Sequence, residues 1–204
     1  TATDEKGNPL PLTRECEVLT KDMCKNGLAG GNTPETARWY VLDSNIKYNP
    51  LKDTIDISGN VNLILKDDKK LTHKLSKKSI KLNKGSTLTI YGQQRGTGEI
   101  KMDAATYNAG IIVPEGATLN IKGGTIDAEG TSGGAGIGGD KGEAAGEINI
   151  FGGMVFAKGG KYGAGIGGGD EGAGGNVIIY DGEVVAIGGK EAAGIGSGNE
   201  GGSG

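Results

Sequence analysis

Short apolar segments separated by glycine-rich turns recur at a fixed interval in the C-terminal half of this chain. Ile137, Ile166 and Ile195 are 29 residues apart, and each lies in a near-copy of one phrase, GAGIGGD, GAGIGGG or AAGIGSG. A fixed period between about 20 and 50 residues is typical of solenoids, in which each unit buries its apolar face only by stacking on its neighbours. The repeat therefore predicts an elongated array of coils.

Each 29-residue unit contains three apolar segments of three or four residues. In the best-preserved copy these are residues 148–150, 155–157 and 164–166, with glycine-containing turns between them. Alternation within the first segment places Ile148 and Ile150 on one face of a strand. Three short strands per unit, each with one inward face, predict a triangular coil.

The same pattern continues upstream with lower identity and predicts three ladders of inward side chains. Stacked coils of this kind pair their strands in parallel, about 4.8 Å apart. The first ladder is predicted as Leu63/Leu65, Leu88/Ile90, Leu119/Ile121, Ile148/Ile150 and Val177/Ile179. The second is predicted as Ile55, Ile80, Ile111, Ile137, Ile166 and Ile195, and the third as Ile100, Ile126, Val155 and Val184. The predicted fold is thus all-β, a parallel β-helix (solenoid) with three short strands per coil.

A β-sandwich built from hairpins is the alternative architecture. It predicts Asn-Gly or Asp-Gly turns at regular intervals between alternating strands. The chain has these dipeptides only at residues 26–27 and 181–182, so the repeat favours the β-helix.

Residues 1–38 do not follow the coil pattern, and we expect them to form an N-terminal cap over the open end of the solenoid. Thr33 and Pro34 resemble a helix start, with Thr33 as the N-cap. Residues 39–204 are predicted to form about five to six coils, with Trp39 leading into the first. Because the chain stops at Gly204 inside what resembles another glycine-rich turn, we expect the natural protein to continue.

Composition narrows the classes of function. Glycine accounts for 42 of the 204 residues, aromatic residues for 4%, and the formal net charge is −3. This charge gives no reason to expect nucleic acid as a partner. No apolar run approaches the ~18 residues of a membrane span. The sequence indicates neither an organic cofactor nor an oligomeric state.

Three segments carry a resemblance to a known family: NVNLIL (60–65), STLTIYGQQRGTG (86–98) and GAGIGGG (163–169). They resemble a family of large, repetitive, glycine-rich surface proteins of gut anaerobes, over roughly residues 39–204. The resemblance implies a right-handed parallel β-helix and a secreted or cell-surface location. Family members are described as adhesins, surface proteins or carbohydrate-binding-like proteins. The resemblance brings no functional residues with it.

A disulfide between Cys16 and Cys24 is predicted within the cap. These are the only two cysteines, and an even number in a protein of surface type favours pairing. Two buried free thiols are the alternative.

The residues of a polysaccharide-active enzyme are not recognisable in the sequence. Such sites use clustered carboxylates with Arg, Lys or His. Here His73 is the single histidine, only three arginines are present, and no pair of carboxylates recurs at a spacing that would place both on one strand face. We therefore expect no catalysis, and an enzyme on the same scaffold remains an alternative.

Asp140, Asp170 and Asn199 form a candidate metal site. Each falls three or four residues after a repeat isoleucine, and oxygen ligands on glycine turns suit Ca²⁺. The calcium-binding nonapeptide pattern is incomplete, because the apolar residue two positions after the aspartate is missing. The favoured explanation is that Asp and Asn tolerate turn geometry.

Tyr91, Phe151 and Tyr180 form a candidate carbohydrate-binding strip. Each follows an inward isoleucine and is predicted to point outward along one edge of the solenoid, which Lys122 interrupts. Such rings stack on sugars, and they also cover strand ends at turn corners. The preferred function is a non-catalytic, extracellular, structural and adhesive β-helix segment whose candidate partner is a glycan or a host surface. A carbohydrate-binding module is the first alternative.

Overall fold

Three parallel sheets run the length of the molecule, and the chain visits each of them in turn. The computed structural model describes residues 15–48, 54–73, 79–104 and 107–202. Each strand inside a sheet pairs in parallel with the strand of the coil before and with that of the coil after, and the strands at the two ends of a sheet have one such neighbour. This arrangement is the predicted parallel β-helix with three strands per coil, and it excludes the hairpin-built sandwich.

The strands, numbered along the chain, divide into sheets of seven, six and seven. The first sheet contains β1 (Cys16–Val18), β3 (Arg38–Leu42), β6 (Asn60–Leu65), β9 (Thr87–Gly92), β12 (Thr118–Ile121), β15 (Glu147–Ile150) and β18 (Asn176–Ile179). The second contains β4 (Ile46–Tyr48), β7 (Lys70–His73), β10 (Glu99–Asp103), β13 (Thr125–Glu129), β16 (Met154–Lys158) and β19 (Glu183–Ile187). The third contains β2 (Leu28–Ala29), β5 (Ile55–Ser58), β8 (Ile80–Leu82), β11 (Ile111–Ile112), β14 (Ile137–Gly138), β17 (Ile166–Gly167) and β20 (Ile195–Gly196).

The second and third ladders pair in the predicted register at every position, although Ile195 in the last coil is 46% exposed. In the third sheet, for example, Ile111, Ile137 and Ile166 pair in succession, and all three are fully buried. Burial of one such side chain contributes about 1.5–3 kcal/mol. One continuous apolar core inside the three sheets therefore holds the coils together.

The predicted register of the first ladder is wrong at its upstream end. Val61 pairs with Leu88 and Leu63 with Ile90, whereas Leu65 lies opposite Gly92. The strand β6 has three inward apolar residues, so a shift of two residues keeps every side chain on its correct face. Alternation alone therefore left this register ambiguous. From β9 onward the ladder pairs as predicted.

The N-terminal segment supplies two strands to the sheets and several buried residues to the core. The strand β1 pairs with β3, and β2 pairs with β5, so strand pairing begins upstream of residue 38. Between them lies α1 (Lys21–Asn26), where the hydroxyl of Thr20 accepts a hydrogen bond from the backbone N–H of Met23 at 3.2 Å. Leu19, Cys24 and Leu28 are buried in the main core cluster. The division of the chain at residue 38 stays a prediction, and residues 1–14 of the cap lie outside the described residues.

The predicted helix start at Thr33 is a single 3₁₀ turn over Pro34–Thr36. The backbone N–H of Thr33 donates to the hydroxyl of Thr36 at 3.1 Å. The next residues enter β3, whose pairing with β6 supplies the partners for their backbone groups, so the turn does not propagate into a helix.

The predicted disulfide between Cys16 and Cys24 is absent. Cys24 is a buried thiol on α1, whereas Cys16 is exposed on β1. Cys24 is part of the buried core, whereas Cys16 is exposed, so the two side chains lie in different environments. Their short separation in sequence did not reveal this difference.

We expect Cys24 to resist alkylation by iodoacetamide at pH 8 in the native protein and to react only after unfolding. Burial raises the pKa of the Cys24 thiol to about 11, and only the thiolate reacts. Mass spectrometry before and after unfolding counts the labels. The raised pKa also means that the stabilisation from the neutral thiol is complete below pH 9 and is lost as the pH rises towards 11. A disulfide-linked, unlabelled protein after unfolding would contradict this assignment.

Candidate functional site

A groove of about 480 Å³ runs along the outer face of the first sheet, across β3, β6, β9, β12 and β15. The outer face of this sheet carries polar side chains because alternation along each strand directs the apolar residues into the core. The groove is lined by Pro34, Ala37, Trp39, Asn60, Val61, Asn62, Thr87, Thr89, Tyr91, Thr118, Asn120, Lys122, Glu147, Asn149 and Phe151.

The floor of the groove is a ladder of amide and hydroxyl groups. Asn120 Nδ2 donates to Thr89 Oγ1 at 3.3 Å, and Asn149 Nδ2 donates to Asn120 Oδ1 at 3.1 Å. Asn149 Nδ2 also donates to Glu147 Oε1 at 2.8 Å. Asn62 lies opposite Thr89 and continues the row towards the N-terminus. These bonds hold the floor side chains in fixed orientations.

One side of the groove is a row of rings. The rings of Phe151 and Tyr180 are parallel, with 4.7 Å between their centroids and an interplanar angle of 4°. Trp39 stacks on Tyr91 with 5.2 Å between centroids and an angle of 28°. The structure thus brings together all three residues of the predicted aromatic strip and adds Trp39 to them.

Lys122 joins the two ring pairs into one continuous stack. Its Nζ lies 5.7 Å from the centroid of Tyr91 and 5.3 Å from the centroid of Phe151. A cation at this distance over a ring face is attracted to the negative face of the π-system. The faces of Tyr91 and Phe151 are therefore occupied from within the molecule. Sugar binding on these faces stays a prediction.

The polar floor is recognisable in the sequence as a repeat of Asn and Thr residues, although the sequence analysis considered only the aromatic residues of this face. Asn62, Thr89, Asn120 and Asn149 each lie between two inward apolar residues of a strand, and they recur once per coil. Trp39 was assigned only to the start of the first coil, because a single tryptophan has no repeat partner to align with.

The candidate metal ligands divide between two environments. Asp170 Oδ2 accepts from Lys141 Nζ at 2.9 Å, and its Oδ1 accepts from Asn199 Nδ2 at 3.2 Å. The carboxylate of Asp140 makes a different contact, in which its Oδ1 accepts the backbone N–H of Ala109 at 2.7 Å. The spacing explains why Lys141 rather than Asp140 contacts Asp170, because Lys141 is 29 residues, or one coil, before Asp170.

The two aspartates differ in electrostatics accordingly. Hydrogen bonding from Lys141 lowers the pKa of Asp170, and burial raises the pKa of Asp140. Within the described residues, no group of three His, Cys, Asp or Glu side chains has the arrangement of a metal site. Calcium binding by Asp140, Asp170 and Asn199 stays a prediction.

We expect Asp170→Ala to lower the melting temperature by about 2–4 °C, equally in calcium and in EDTA. The change removes one partner of Lys141 and the partner of the Asn199 amide. The effect is modest because Lys141 is 44% exposed and also pairs with Glu171 at 3.2 Å. Thermal unfolding followed by circular dichroism measures the shift. Stabilisation of the unsubstituted protein by calcium, lost in this variant, would instead establish a metal site.

Carboxylates near the groove are few. Glu147 is the acidic residue of the groove lining. A second depression, of about 590 Å³, lies beside it and is lined by Glu115 as well as Glu147. The side chain of His73 lies outside the described part of the chain.

Comparison with known proteins supports the fold. The family model of a beta helix repeat matches residues 119–142, 148–170 and 177–199. Neither the curated proteins nor the solved structures contain a match. In the described ranges, no helix has the length and hydrophobicity needed to cross a bilayer. The repeat matches and the three sheets together make the chain a parallel β-helix protein.

Proposed function

We propose that this chain is a structural and adhesive segment of a secreted or cell-surface protein, which binds a glycan or a host surface without transforming it. The groove along the first sheet carries this proposal. A continuous β-helix holds polar side chains at regular positions along its axis, and such an array suits an extended ligand. The resemblance of the repeats to those of surface proteins from gut anaerobes supports the location.

The absence of turnover is part of the proposal. Glycosidases use a pair of carboxyl groups on either side of the scissile bond, whereas the groove lining supplies Glu147 alone. Glu147 also accepts a hydrogen bond from Asn149, which suits it to orient the floor amides.

Adhesion and turnover are measured together on the same material. We expect the purified protein to bind immobilised mucin and cultured intestinal epithelial cells saturably, with no increase in reducing ends over a day. The proposal is contradicted if the protein binds neither surface or if reducing ends are released steadily.

A polysaccharide-active enzyme is the second candidate, and the depression that Glu115 and Glu147 both line favours it. Two carboxyl groups in one depression are the minimum for acid–base hydrolysis of a glycosidic bond. If this candidate is right, reducing ends accumulate with the unsubstituted protein and not with Glu115→Gln or Glu147→Gln.

A further inference from the structure

We infer that a linear, neutral glycan lies along the groove of the first sheet, with its hydroxyl groups bound by the partly exposed side chains of Asn120 and Thr118. This inference rests on the proposed adhesive function and identifies the ligand class and the residues that bind it. It differs from the aromatic-strip prediction, because the floor rather than the ring faces makes the contacts.

The shape of the groove selects an extended ligand. Its floor spans four neighbouring strands, β6, β9, β12 and β15, which are three steps of about 4.8 Å, or about 14 Å, apart. Trp39, Pro34 and Ala37 line its N-terminal end. A chain of several sugar units parallel to the solenoid axis fills this length, and a single sugar does not.

Asn62, Thr89 and Asn149 are buried in the floor, whereas Asn120 and Thr118 are partly exposed and retain hydrogen-bonding capacity for such a ligand. An Asn amide has two N–H donors and two acceptor lone pairs. In the ladder Asn120 uses one donor, to Thr89, and one lone pair, to Asn149. The described contacts leave it one donor and one lone pair. Thr118 adds a hydroxyl from the same strand. A paired donor and acceptor match the hydroxyl groups of a sugar, which both donate and accept.

The charges of the groove point to a neutral ligand. Lys122 and Glu147 are its charged lining residues, and they carry opposite signs. The ammonium of Lys122 lies over the rings of Tyr91 and Phe151, and the carboxylate of Glu147 accepts from Asn149. An acidic polysaccharide would require a net positive groove to offset its charge.

The rings contribute a wall rather than a stacking platform. Tyr91 lies between Trp39 and Lys122, and Phe151 lies between Lys122 and Tyr180. Their edges limit the width of the groove and exclude water from one side of the ligand.

The test uses the full chain and defined oligosaccharides as probes. Cellohexaose, xylohexaose and mannohexaose represent neutral linear glycans, hexagalacturonate represents acidic ones, and an unfolded polypeptide such as reduced casein represents protein ligands. Isothermal titration calorimetry measures the dissociation constants. We expect at least one neutral hexasaccharide to bind more tightly than hexagalacturonate and casein.

Matched variants locate the site. Thr118 and Thr125 begin neighbouring strands of the same coil, both partly exposed, but only Thr118 lines the groove. We expect Thr118→Ala and Asn120→Ala to weaken binding by about three- to tenfold each, and Thr125→Ala to leave it unchanged. Circular dichroism checks that each variant is folded, and Thr118→Ala keeps the test valid if Asn120→Ala unfolds.

Each other outcome overturns the inference. These are no binding of any neutral hexasaccharide, preference for hexagalacturonate or casein, and equal binding by Thr118→Ala and Thr125→Ala. If the protein adheres to mucin and cells in these cases, only the inference about the ligand fails. If adhesion is also lost, the proposed function fails with it.

Discussion

Replacing Ile150 with aspartate is expected to abolish folding. Ile150 is fully buried and pairs with Ile121 in the preceding coil. A carboxylate at this position meets only apolar side chains, so the substitution costs more than about 4 kcal/mol, most of the stability of an ordinary domain. Far-ultraviolet circular dichroism and thermal unfolding detect the loss of the β-helix.

Ile179→Asp is the matched control. Ile179 occupies the next position of the same ladder, but its side chain is 42% exposed. The same carboxylate there stays in contact with water, and we expect the variant to fold with a much smaller loss of stability. Near-equal melting temperatures for the two variants would show that Ile150 does not face the core.

Gly165→Val is expected to destabilise the protein by about 3 kcal/mol, well above the ~1 kcal/mol that glycine propensity alone explains. A Cβ on Gly165 would lie 2.6 Å from Gly194 O and 2.6 Å from Ile187 N, both backbone atoms of the next coil. Gly136 is confined in the same way one coil earlier. Space before the repeat isoleucine is therefore restricted in both coils. Neither glycine has a positive φ, so the restriction is steric.

Gly194→Val tests this steric explanation. Gly194 holds the same place in the last repeat, where a Cβ would approach one backbone atom closely, Ala186 O at 2.9 Å. We expect a smaller loss of stability than for Gly165→Val in chemical denaturation. Equal losses would mean that backbone entropy, rather than the adjacent coil, makes glycine necessary.

The ladders were predictable because the physical cause of the fold is itself periodic. Each apolar position must stack on the same position one coil away, so Ile137, Ile166 and Ile195 show their pairing in their spacing. Where the coil length varies, this information weakens. The strand β6 shows the limit, because Val61, Leu63 and Leu65 all face inward and the spacing fits two registers.

The candidate site was less predictable because it depends on the conformations of the outward side chains. Alternation placed Tyr91, Phe151 and Tyr180 outside the core, but it carries no information on ring planes or on the position of Lys122 over them. The partner of Asp170 was missed for a similar reason. The sequence interpretation matches Asp170 with Asp140 because both are aspartates. In the structure, Lys141 contacts Asp170, because it lies one full coil of 29 residues before it.

The constant 29-residue step between the last repeats also has a genetic consequence. Gly167 pairs with Gly138 before it and with Gly196 after it, in the same register. Recombination between the DNA segments that encode neighbouring repeats removes or adds 29 codons, and each remaining strand then meets a neighbour of the same kind. A gain or loss of whole coils would therefore change the length of the rod, and with it the part of the groove that Asn149 and Phe151 line.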